Sequence, residues 1–104
     1  MSPTIVVATA RPKPEHRAEV IAVFEEVIPQ VHADEDGCDL YALHEGEDRL
    51  VMIEKWADGD ALAAHARAAG LAKLQAGLAG KLDGELDVQV LRPHPAGTPE
   101  QGAL

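Results

Sequence analysis

The chain has 104 residues, 46% hydrophobic and 26% charged, which is the size and balance of one small globular domain rather than a disordered, collagen-like or membrane-spanning chain. With 18 acidic and 9 basic residues the formal net charge is -9, so a nucleic-acid backbone or an anionic bilayer would be repelled, and neither is expected as a partner. The only serine is Ser2 and there is no asparagine, and no G-x-S-x-G motif, phosphate-binding loop or dinucleotide fingerprint occurs.

The amino end lacks the basic start and longer apolar run of a secretory leader, and a cytoplasmic protein is expected. Residues 4–10, with Ile5, Val6 and Val7 contiguous, suit a strand covered on both faces. Pro14 then opens a helix whose apolar side chains recur at Val20, Val23, Phe24, Val27, Ile28 and Val31, with Pro29 expected to kink or loosen its last turn. The run Asp34-Glu35-Asp36-Gly37 reads as a solvated exit turn. Residues 38–44 and 49–56 are two strands of a hairpin, and the second splits by parity into Leu50, Met52, Glu54 and Trp56 against Val51, Ile53 and Lys55. The lone Cys38 has no internal disulfide partner and no neighbouring cation, so it is expected to be a small buried hydrophobe.

Asp58 is placed to cap a helix over residues 59–69, which Gly70 is expected to break. A second helical stretch carries Leu71, Leu74, Leu78 and Leu82, and residues 85–92 alternate as a strand with one solvated face or an edge. The domain is bounded at residues 1–93, and residues 94–104, rich in proline and glycine, form a flexible tail or an arm to a neighbour.

The order β-α-β-β-α-β predicts an α+β, ferredoxin-like protomer: a four-stranded antiparallel sheet with helices on one face. Strands one to three carry apolar residues at both parities, so the second sheet face needs a cover, and a second copy of the chain is the economical one, giving a homodimer.

The five histidines show no metal-ligand spacing, and no metal is expected. One constellation remains. The helix after the third strand folds back over the sheet, so His65 can face a cavity between helix and sheet, with Trp56 as wall and indole donor and Glu54 orienting the imidazole. Taken on the residues alone, His65 reads more readily as a partly buried histidine on a backbone carbonyl, and Trp56 as core. Tyr41 and His44 lie on opposite faces of the neighbouring strand, so at most one joins the pocket.

Over about residues 4–92 the chain resembles the antibiotic biosynthesis monooxygenase family of dimeric α+β barrels, especially its quinol-monooxygenase-like branch. The resemblance rests on Pro12-Lys13-Pro14, on Gly37-Cys38-Asp39-Leu40-Tyr41-Ala42-Leu43, and on Glu54-Lys55-Trp56-Ala57-Asp58 followed by Ala61-Leu62-Ala63-Ala64-His65. It implies oxygenation of a small quinol, dihydroxy-aromatic or polyketide-type substrate by O2 without metal, flavin or haem. Haem degradation is not expected, because the asparagine those members use is missing, His65 stands at their helix tryptophan and Gln75 at their histidine.

On this reading His65, Trp56 and Glu54 are the catalytic residues, and Tyr41, Phe24, Met52 and Leu74 line the substrate site. A phenol near pKa 10 facing an imidazole near 6.5 leaves about 3.5 units, roughly 5 kcal/mol, for donors such as Trp56, Arg67 or Lys55 to offset. The rival expectation is a non-catalytic dimeric protein that binds a hydrophobic metabolite or assists its cyclisation.

Overall fold

A computed structural model describes residues 2–104. Its elements are β1 (Thr4–Ala10), α1 (Arg17–Asp34), β2 (Cys38–Glu45), β3 (Leu50–Trp56), α2 (Gly59–Ala66), α3 (Ala69–Leu78) and β4 (Asp87–Leu91), with a 3-10 turn at Pro14–His16 leading into α1. The strands form one antiparallel sheet in the order β2-β3-β1-β4, the ferredoxin-like arrangement, with all helices on one face.

Register assigns the two faces. Val6, Ala8 and Ala10 sit opposite Glu54, Met52 and Leu50, and all six are buried beneath the helices. Their neighbours Val7, Thr9, Val51 and Ile53 share the other face and are half-buried. Alternation of period two thus divides the sheet as the parity of β3 requires. On α1 the stripe Val20, Phe24, Val27 and Val31 is buried against the sheet, and Pro29, on the exposed side, leaves the helix running to Asp34. Tertiary burial of the apolar stripe holds that last turn despite the missing amide donor.

The second helical region differs from expectation in two places. Its break lies at Arg67 and Ala68, where Arg67 N–H turns back to the Ala64 and His65 carbonyls and Ala68 is extended. Gly70 lies inside the first turn of α3, buried, where an added Cβ would sit 3.1 Å from Val31 Cγ2. Its smallness serves close packing of α3 on α1 rather than helix termination. Nor does α3 reach Leu82. Gly80 takes a left-handed φ of 76°, turning the chain so that Leu82 bridges Pro12 beside the sheet.

β4 pairs only with β1 and is the sheet edge. Beyond it the chain returns to β3, where Lys55 Nζ donates to the main-chain oxygen of Leu104 at 2.7 Å. Among the described residues no helix is long and apolar enough to cross a membrane.

Candidate active site

Asp58 starts α2, its side chain accepting a hydrogen bond from Ala61 N at 2.8 Å, and this fixes which side chains of the helix fall over β3. His65 is the one buried residue of α2. Gly37 lets the helix settle onto the turn between α1 and β2, since a Cβ there would collide with Ala61 Cβ. The close approach brings the end of α1 within reach of His65. Its Nδ1 lies 2.7 Å from Glu35 Oε1, and the two side chains are only 6% and 12% exposed. A carboxylate only accepts, so Nδ1 is the donor of this pair. No buried side-chain polar atom among the described residues lacks a partner. Nε2 has no protein hydrogen bond, and His65 lines the cavity below the helices.

That cavity, about 250 Å³, lies between helices and sheet, and its wall is almost wholly apolar. Phe24 from α1, Met52 from β3, Leu74 from α3 and Tyr41 from β2 all line it, and the polar members of the wall are His65, Glu54 and Tyr41. Tyr41 stands edge-on to His65 with ring centroids 5.4 Å apart. Burial, followed by the Glu54 and Glu35 charges, raises its hydroxyl well above the ordinary phenol range, which keeps it protonated. Burial likewise pushes the Glu54 carboxyl up, against the opposing effect of its bond from Trp56.

The two expectations for Glu54 and Trp56 need correction. Glu54 does not orient His65. It accepts the indole N–H of Trp56 at 3.0 Å, while Glu35, placed by the sequence in a solvated turn, holds the imidazole. Trp56 is fully buried behind the cavity, its ring tilted against His65 at 4.4 Å, and its only donor is engaged by Glu54. Lys55 projects from the other sheet face and Arg67 is exposed at the end of α2, so neither cation lines the cavity. His44 is exposed, leaving Tyr41 as the β2 side chain of the site. Cys38 is half-buried rather than buried, and desolvation with nearby carboxylates raises its thiol, which disfavours a thiolate. No three His, Cys, Asp or Glu side chains among the described residues converge as metal ligands would.

A ferredoxin-like sheet with a histidine–carboxylate pair beside an apolar cavity under its helices defines a small α+β domain with a candidate site between helices and sheet. Residues 3–77 match the sequence profile of the antibiotic biosynthesis monooxygenase family, and the chain belongs to that family. The Rv0793 protein of Mycobacterium tuberculosis is 28% identical, with a TM-score of 0.85 over 93% of this chain and 100% of that one. A candidate antibiotic biosynthesis monooxygenase of Caulobacter crescentus CB15 is 27% identical, with a TM-score of 0.82 over 86% of this chain and 88% of that one. A conserved protein of Methanosarcina mazei Go1 is also 27% identical, with a TM-score of 0.81 over 88% and 93% of the two chains. No protein of curated function matches the chain.

Proposed function

We propose that this protein is a cofactor-independent monooxygenase that oxidises a small quinol or dihydroxy-aromatic compound with O2. The observation that carries this reading is His65, held at Nδ1 by Glu35, with Nε2 free of protein hydrogen bonds, in the wall of an apolar cavity. His65 takes a phenolic proton, and the imidazolium is stabilised on one side by Glu35 and on the other by the new phenolate. That ion triple takes the place of the cations that the cavity wall lacks. Tyr41 donates to the second substrate oxygen.

The electron-rich anion reduces O2, and the two combine at a ring carbon to give a hydroperoxide. The His65 imidazolium returns its proton to the peroxide, making that hydroperoxide; loss of the C–H proton from the same ring carbon then drives heterolysis of the O–O bond, leaving one oxygen as a ring carbonyl while the expelled hydroxide takes that proton and departs as water. The net change is quinol plus O2 to hydroxyquinone plus water: the ring loses four electrons and O2 gains four, so no external reductant enters. An apolar cavity suits this sequence, because water would quench the anion and protonate the peroxide prematurely. His65→Ala is expected to lower quinol-dependent oxygen uptake by about 10²–10⁴-fold with the fold retained by circular dichroism. Uptake unchanged by that substitution would remove the base.

The half-buried face of Val7, Thr9, Val51 and Ile53 is covered, on the same reading, by a second copy packed sheet to sheet.

The lack of any Lys or Arg in the cavity wall favours a second reading, a dimeric protein that binds or helps cyclise a hydrophobic metabolite without oxygen chemistry. Product formation from a naphthoquinol under argon and under air separates the two, since only the oxygenase requires O2.

A further inference from the structure

We propose that the substrate carries an apolar chain, several carbons long, on the ring that reaches His65, and that this chain leaves the cavity over β4. The inference rests on the catalytic reading for the ring end and on the shape of the cavity floor for the chain. Register places Tyr41, Glu54, Val6 and Val90 in one row across β2, β3, β1 and β4. At the usual strand separation of ~4.8 Å that row spans roughly 14 Å. Its first two members are polar and stand beside His65; its last two are valines. Met52, Ala8 and Val88 make a parallel row one step away, apolar throughout.

Val88 and Val90 line the cavity yet are 51% and 60% exposed, because β4 is the edge strand and lies beyond the helices. The cavity thus has a polar inner end and an apolar mouth. Its volume of about 250 Å³ lies below the ~300–1,000 Å³ usual for small-molecule sites, so it takes a ring head while a longer substituent must pass out over the valines. No charged side chain lines the mouth, and the net charge of -9 opposes an anionic substituent such as a phosphate. Residues after β4 turn toward Lys55 on the opposite face, leaving the valine strip uncovered by the tail.

The test is a series of 2-alkyl-1,4-naphthohydroquinones with methyl, butyl and octyl chains, read as oxygen uptake, and in parallel as binding by calorimetry under argon. Affinity is expected to rise about two- to fourfold for each methylene that lies on the valines, entering through KM with kcat steady. The double variant Val88→Thr with Val90→Thr keeps β-branched side chains on the strand and should flatten that gradient, read as the octyl-to-methyl ratio within the variant against the same ratio in wild type. A flat series in the wild-type protein would overturn the inference, as would a gradient that the double variant leaves intact. If the variant instead changes the sedimentation mass and not the gradient, the valines belong to an interface between copies, and the inference fails. Binding that rises with chain length without oxygen uptake would keep the mouth assignment and remove the oxygenase reading.

Discussion

His65 and Glu35 stand 30 positions apart and meet at 2.7 Å, a contact that only the packing of α2 on the end of α1 creates. Glu35→Gln keeps an oxygen for Nδ1–H but removes the negative charge that balances the imidazolium. We expect kcat in quinol-dependent oxygen uptake to fall about 10- to 100-fold, the weight of a charge-assisted hydrogen bond, with KM within about twofold. Glu54 gives a pH signature instead. Burial raises its carboxyl in the folded chain above the ordinary value near 4.5, so its contribution to stability is whole below that pH and is lost as pH climbs through the folded value. Glu54→Gln, which still accepts from Trp56, should therefore match wild type at pH 4 and melt higher at pH 7 to 8. Calorimetric Tm at the two pH values is the check, and a variant less stable at both would sink this account. His65, Glu54, Tyr41 and Met52 were legible because strand parity and one helix turn place them on one face. Glu35 was not, since its run of acidic residues has the composition of a solvated turn. The one signal for it was Gly37, two residues on, a small residue where another element comes close.

Among the elements, α2 has the heaviest task for its eight residues. Helices this short are marginal alone, so its cap and its seat decide whether His65 is in position. Asp58→Ala is expected to cost about 1 kcal/mol of stability, seen as a lower denaturant midpoint with an unchanged slope. Gly37→Ala forces a methyl against Ala61, and about 1–3 kcal/mol of destabilisation is expected, together with loss of oxygen uptake as α2 lifts from Glu35. Strands and the first helix followed from period-two and three-four spacing, which report directly on burial. Gly70 and Leu82 were misplaced for a common reason. A glycine in sequence looks alike whether it ends a helix or admits a neighbour, and a leucine keeps its helical phase after the backbone has turned away at Gly80.

At the scale of the whole molecule, the sheet is the shared wall of two environments, one closed by the chain's own helices and one half-buried. The proposed sheet-to-sheet pair predicts a sedimentation mass twice that of the chain, and Ile53→Glu should give a monomer, since a buried charge on the open face has no partner there. Each copy brings a charge of -9, so dimer affinity should strengthen as salt rises and screens the repulsion. A dimer that loosens with salt would point to ion pairs instead.

The chain's single tryptophan lies flat in the protein interior, its ring 4.4 Å from His65 and its indole nitrogen on Glu54. Indole emission is quenched by a nearby imidazolium and shifts when its hydrogen-bond acceptor changes charge. On the proposed reading, the fluorescence of the native protein is expected to report proton movement at the site, free of background from any other tryptophan, and stopped-flow mixing with a quinol is the check.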